Sequence, residues 1–176
     1  INLLLFDLFY SNISINATSD IALYSINSIF NFVAKSIEYR DDALNYLLPT
    51  IKFAQRKEES QIKNYIFRFI FNLTLYEVDT DQLQQILRAI CNLIDFVDDS
   101  TSLILTLSLR KLSDYYVIYP YLLKTPILNF FSRNLSSTQD NLIYVTLLVF
   151  SSILKNNSFQ EIPDLPKIIK FINSLN

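Results

Sequence analysis

Apolar residues in the middle of the chain recur at the spacing of an α-helix. From residue 62 onward they fall at i, i+3, i+4, i+7, i+8 and i+11, as Ile62, Tyr65, Ile66, Phe69, Ile70 and Leu73. This spacing places them on one face of a helix. A second apolar line, formed by Phe67, Phe71 and Leu75, indicates that the helix packs on two sides. We predict two helices over residues 61–92, joined by a short polar turn.

Three polar residues on the first of these helices are spaced by four, namely Asn64, Arg68 and Asn72. Residues with this spacing are neighbours on a helix surface, so they predict one polar ridge. We interpret the ridge as a binding surface, with ordinary solvation of a polar helix face as the commoner alternative. Asp79 followed by Gln82 has the spacing of a capping box and predicts the start of the second helix.

Similar helical runs precede and follow this central pair. The pattern predicts further helices over residues 2–10, 20–33, 38–46, 50–54, 98–112, 127–131, 141–154 and 168–175. Aspartate or serine stands before several of these runs, and Pro126 opens one of them, as is common at helix starts. Residues 134–139 have the composition of a polar turn. The first run has no cap before it, so we expect the chain to begin inside a longer protein.

The long helices repeat at a nearly constant interval. When Tyr24, Arg68, Leu107 and Leu148 are taken as equivalent positions, the steps are 44, 39 and 41 residues. HEAT and armadillo arrays repeat every ~40–47 residues, and each unit buries its apolar face against the next. The period therefore predicts an all-α fold, a right-handed α-solenoid of about four armadillo-type (HEAT-like) units. An ordinary helical bundle is the alternative.

The same period sets the expected domain organisation. We expect residues 1–176 to form one solenoid. Its approximate units are a partial repeat at 1–35, repeats at 36–77, 78–115 and 116–156, and a partial repeat at 157–176.

Composition and charge limit the classes of partner. A chain of 176 residues that is 51% hydrophobic and 14% aromatic is not disordered. Its formal charge of −2, without clustered basic residues, indicates no nucleic-acid partner. The apolar run 141–154 is shorter than the ~20 residues of a membrane helix, so we expect no membrane insertion. The single cysteine, Cys91, and the lack of a signal peptide favour a cytoplasmic or nuclear location.

The sequence offers little for catalysis. It contains no glycine, which excludes phosphate-binding glycine loops and the nucleophile elbow, and no histidine, the commonest general base and metal ligand. Paired carboxylates occur at predicted helix starts or turns, where aspartate caps helices: Asp41 and Asp42, Asp79 and Asp81, and Asp98 and Asp99. We therefore expect neither an enzyme nor a cofactor or metal site.

Short words within the repeats resemble the armadillo repeats of the importin alpha family. Residues 21–29, IALYSINSI, are similar to the groove-lining third helix of that family. Residues 39–41 (YRD) and 47–49 (LLP) are similar to its linking segment and to the start of its next repeat. Residues 71–73 (FNL) resemble its S-N-L, and Leu109, Leu112, Ser113 and Asp114 resemble its L-S-Y-L-S-D.

The resemblance implies a nuclear-import adaptor that binds a nuclear-localisation peptide in a concave groove. In that family a tryptophan and an asparagine four residues later hold the extended basic peptide. Carried onto this chain, the pairs become Tyr24 and Ser28, Arg68 and Asn72, Leu107 and Lys111, and Leu148 and Ser152. With Asn64 of the ridge, the candidate peptide-binding residues are Tyr24, Ser28, Asn64, Arg68, Asn72 and Lys111.

Two positive charges in this set keep a second hypothesis open. Arg68 and Lys111 would repel a lysine-rich ligand at close range and suit an acidic one. The alternative to an import adaptor is therefore a non-catalytic armadillo or HEAT scaffold that binds another protein and has no role in nuclear import.

Overall fold

The computed structural model describes residues 60–122 and 124–155, together with residues 11, 21, 24, 25, 27, 28, 44, 45, 51, 170 and 173. Each of these isolated residues is helical. The predicted helices at 2–10, 20–33, 38–46, 50–54 and 168–175 lie wholly or mostly outside the described residues. So do most of the words at 21–29, 39–41 and 47–49.

Six α-helices follow one another in the continuous part of the chain. They are α1 (Ser60–Leu73), α2 (Thr80–Leu93), α3 (Asp99–Leu112), α4 (Tyr119–Leu122), α5 (Thr125–Leu135) and α6 (Asp140–Lys155). A 3₁₀ turn, Ile94–Phe96, follows α2, and another, Tyr116–Ile118, precedes α4. No strand occurs among the residues that the structure describes. The prediction of an all-α chain is confirmed for this part.

Aspartate caps start two of the long helices. At α2, the backbone N–H of Gln82 donates to Oδ1 of Asp79 at 2.8 Å, and Oε1 of Gln82 accepts from the N–H of Asp79 at 3.2 Å. At α3, the backbone N–H of Thr101 donates to Oδ1 of Asp98 at 2.9 Å. Pro126 stands in the first turn of α5. The predicted capping roles of Asp79 and Asp98 and the predicted place of Pro126 are confirmed.

Helix α3 contacts two other long helices. These are α1, which precedes it in the chain, and α6, which follows it. Helix α5 contacts α6 and the 3₁₀ turn Ile94–Phe96, and its Asn134 donates hydrogen bonds to Thr106 of α3 and Thr146 of α6. Helix α5 therefore lies across the junction between α3 and α6.

Buried positions recur at equal phase in α1, α3 and α6. Three sets of buried residues lie 39 and 40 residues apart: Ile66, Leu105 and Val145; Phe67, Thr106 and Thr146; and Ile70, Leu109 and Val149. The first step equals the predicted 39 residues, and the second is one residue shorter than the predicted 41. A step of 40 residues leads from Leu107 to Leu147, whereas the predicted step of 41 residues leads to Leu148. The predicted groove residue Ser152 is only 8% exposed.

Helix α6 is apolar on nearly all of its faces. Its sixteen residues carry a charge only at the ends, in Asp140 and Lys155. Leu142, Val145, Val149, Phe150 and Ile153 are buried, yet Tyr144 and Leu147 are exposed. Among the described helices, α6 included, none has the length and apolar character needed to cross a membrane.

Candidate functional site

Several side chains of α1, α3 and α6 are exposed or half-buried. Six of them form pairs spaced three or four residues apart on the same helix, and so lie on one face of that helix. We call them the outer stripe: Asn64, Arg68, Leu107, Lys111, Tyr144 and Leu147. Three of the six predicted peptide-binding residues belong to this stripe.

On α1, the predicted polar ridge is exposed to very different degrees. Arg68 is exposed, and Asn64 is half-buried. Asn72, four residues further on, is only 6% exposed. Within the described part of the chain, Nδ2 of Asn72 has no hydrogen-bond partner. A buried donor without an acceptor costs about 1–3 kcal/mol of stability.

Tyr24 and Ser28 lie in a segment of which only isolated residues are described. Tyr24 is 71% exposed, and its backbone carbonyl accepts a hydrogen bond of 2.8 Å from the Ser28 hydroxyl. This bond occupies the hydroxyl proton of Ser28, as is usual for serine within a helix. Their predicted place beside α1 stays a prediction.

Positive charge collects on the α1 and α3 part of the outer stripe. Arg68 and Lys111 are both exposed, and helix α1 contains no acidic residue. Arg110, the neighbour of Lys111, donates from Nη1 to Oδ1 of Asp114 at 2.6 Å, so its charge is compensated. No ion pair of Arg68 or Lys111 occurs among the described residues. Both cations are therefore free to attract an anionic group.

The α6 part of the outer stripe is apolar. Tyr144 is 63% exposed and Leu147 is 52% exposed, and they lie one helical turn apart on the same face. Sequence reasoning missed both residues, because a helix that is apolar on all sides does not indicate which side faces outward. The predicted step of 41 residues from Leu107 led to Leu148, whereas a step of 40 residues leads to Leu147.

A separate open cleft lies between α5 and the 3₁₀ turn that follows α2. Its volume is about 260 Å³, and it is lined by Ile94, Asp95, Pro126, Asn129, Phe130 and Arg133. The guanidinium of Arg133 lies 5.4 Å from the ring centroid of Phe130, within the range of a cation–π contact. None of these residues belongs to α1, α3 or α6, so the cleft is distinct from the outer stripe.

Cys91 has the environment of an inert thiol. It is half-buried and packs against the core. Burial raises the pKa of its thiol, and this effect outweighs the opposing attraction of the Lys124 ammonium. The protonated thiol is a weak nucleophile. In the described part of the chain, no group of three or more cysteine, aspartate or glutamate side chains is placed to hold a metal ion.

Comparison of the chain with protein-family models gives no match, and comparison with curated proteins gives none either. The function is therefore inferred from the geometry of the outer stripe, and the resemblance to importin alpha stays an expectation.

Proposed function

We propose that this chain is a non-catalytic, peptide-binding module of the armadillo type. In this proposal an extended segment of a partner protein crosses the outer stripe of α1, α3 and α6. The observation that carries the proposal is the stacking of these three helices in chain order with buried positions 39 and 40 residues apart. Such regular stacking is expected of a solenoid, whose units contact their neighbours.

The distribution of the helices supports the predicted unit boundaries. Helices α2 and α3 fall within the unit 78–115, and α4, α5 and α6 fall within the unit 116–156. The unit 78–115 then ends with α3 and the unit 116–156 with α6, two of the three stacked helices. Solenoids of this kind use such a layer as an extended binding surface.

Asn72, the position at which the chain keeps the asparagine of the resembled family, is buried. The proposed binding surface therefore does not include it.

A nuclear-import adaptor for basic peptides is the second candidate. The 71% exposure of Tyr24 favours it, because an exposed aromatic face attracts a lysine or arginine side chain. Arg68 and Lys111 oppose it, because both would lie close to the charges of a basic ligand. A scaffold that binds other proteins without a role in import fits these two cations better.

Selection of displayed random peptides tests the proposal without assuming a ligand charge. Peptides enriched on the wild-type chain should lose binding to a variant that combines Arg68→Glu, Lys111→Glu and Leu147→Ser. All three side chains are exposed or lie at the surface, so circular dichroism should report an unchanged helical fold. The control is Arg88→Glu on α2, which is exposed outside the stripe and should leave binding unchanged. Enriched peptides that bind the triple variant as well as the wild type would contradict the proposal.

A further inference from the structure

The outer stripe changes its chemistry from one end of the layer to the other. Its two charges are Arg68 on α1 and Lys111 on α3, where Leu107 is half-buried. On α6 the stripe is apolar. We propose that its ligand is an acidic protein segment with a large apolar side chain at one end. This proposal rests on the proposed function, because it names the ligand class of the same surface.

The cationic part selects the sign of the ligand charge. Arg68 of α1 and Lys111 of α3 lie on neighbouring helices, and neither has an ion-pair partner in the described part of the chain. The acidic residues of the three helices lie at helix starts, as Asp99 and Asp140 do. Carboxylates of a ligand would thus meet two uncompensated cations, while lysines would be repelled.

The apolar part selects a hydrophobic anchor. Tyr144 and Leu147 expose more than half of their side chains, and no charged residue occurs between Asp140 and Lys155. Exposed apolar groups that adjoin polar ones are typical of protein-binding sites. A leucine or an aromatic ring of the ligand would remove both side chains from water, which a second carboxylate could not do.

The spacing of the helices sets the spacing within the ligand. Neighbouring packed helices are about 8–10 Å apart, so the layer from α1 to α6 measures roughly 16–20 Å. An extended chain advances about 3.3 Å per residue, so it crosses from one helix to the next in about three residues. The ligand should therefore carry two acidic residues about three positions apart and an apolar residue about three positions beyond one of them.

Four seven-residue peptides, three of them of equal composition, test this order. One labelled peptide carries glutamates at positions 1 and 4 and leucine at position 7, and a second carries the reverse order. The third places the leucine between the two glutamates, and a fourth replaces both glutamates of the first by lysines. Flanking positions are serine. Fluorescence anisotropy at low and moderate salt should give at least tenfold tighter binding for one end-anchored acidic peptide than for the centre-anchored or the basic peptide.

Variants of the chain assign each half of the ligand to its partner. The double variant Arg68→Glu and Lys111→Glu should invert the preference toward the basic peptide. Leu147→Ser should weaken binding of the end-anchored acidic peptide about tenfold. The same substitution should not change binding of a peptide in which serine replaces the leucine. Val117→Ser, at an exposed position in the 3₁₀ turn before α4, is the matched control. It should change the binding of neither peptide.

The outcomes separate this inference from the proposed function. If the wild type prefers the basic peptide and the triple variant does not bind it, the ligand is not acidic. The proposed peptide-binding function would then still hold. Binding of none of the four peptides, together with failure of the random selection, would overturn both. Self-association that Leu147→Ser abolishes would instead identify a second copy of the chain as the occupant of the α6 surface.

Discussion

Nδ2 of Asn134 donates to Oγ1 of Thr106 at 2.9 Å, and this hydrogen bond joins α5 to α3 inside the core. The same amide nitrogen lies 3.5 Å from Oγ1 of Thr146 on α6. Both threonine hydroxyls donate their own protons to carbonyls one turn earlier, those of Ser102 and Leu142. Each hydroxyl oxygen can therefore only accept from Asn134, which fixes the orientation of the amide. One buried amide thus ties together equivalent positions of two stacked helices.

Substitution of Asn134 by aspartate should destabilise the fold strongly. The change keeps the shape of the side chain, removes both N–H donors and places a carboxylate where Asn134 is 1% exposed. We expect a loss of at least about 2 kcal/mol in the free energy of unfolding at pH 7, measured by urea denaturation. Burial should raise the pKa of the introduced carboxyl above its unfolded value, so the loss should shrink as the pH falls toward 4.

The control for this experiment is Asn129→Asp. Asn129 lies on the same helix and is exposed, so the same chemical change should cost less than about 0.5 kcal/mol there. Equal destabilisation by the two substitutions would contradict a tying role for Asn134.

Asp98 should contribute stability that depends on pH. Partial burial acts to raise the pKa of its carboxyl, but hydrogen bonds from the side chains and backbone N–H groups of Ser100 and Thr101 outweigh it and lower the pKa. A carboxyl with a lowered pKa in the folded state stabilises the fold above its unfolded pKa of about 3.9, and the contribution disappears as the pH falls through the folded value. Asp98→Ala should cost about 1 kcal/mol at pH 7.

The matched variant is Asp98→Asn, which keeps an acceptor for the N–H of Thr101 and cannot titrate. In urea denaturation from pH 6 to pH 2, the advantage of the wild type over this variant should decrease toward the acid end. A constant difference across that range would show that ionisation of Asp98 does not stabilise the start of α3.

Cys91 should react slowly with thiol reagents in the folded chain. Its thiol is half-buried and its pKa is raised, so less thiolate is present at pH 8 than in the unfolded chain. We expect the rate with an aromatic disulfide reagent to rise at least about tenfold when the chain is unfolded in urea. Lys124→Ala should slow the native reaction further, because the ammonium of Lys124 lowers the pKa of this thiol. The control, Lys155→Ala at the end of α6, should not change the reaction rate of Cys91. Equal rates in the folded and unfolded chain would show that the fold does not protect the thiol.

Local features of the fold could be predicted from the sequence, because neighbouring residues determine them. The caps at Asp79 and Asp98 depend on atoms within four residues, and both lie where the spacing predicted. The end of α5 was placed wrongly: residues 134–139 have turn-like composition, yet α5 continues to Leu135 and buries Asn134. Its Nδ2 donates to two distant helices, whereas its Oδ1 accepts no hydrogen bond within the described residues.

The exposed surface could be predicted only in part, because packing against distant elements determines it. Arg68 and Lys111 are exposed, as expected for charged side chains, which rarely enter a core. Asn72 has the same spacing as Arg68 and is nevertheless buried. On α6, Leu147 and Leu148 are chemically identical, and only the positions of α3 and α5 decide that Leu147 faces outward.

Hydrogen exchange of the chain with and without the end-anchored acidic peptide tests most directly whether α1, α3 and α6 form one peptide-binding face. The account predicts slower exchange, on binding, in residues 60–73, 99–112 and 140–155, and unchanged exchange in 80–93 and 125–135. Protection confined to α2 and α5, or to one helix of the layer alone, would contradict it.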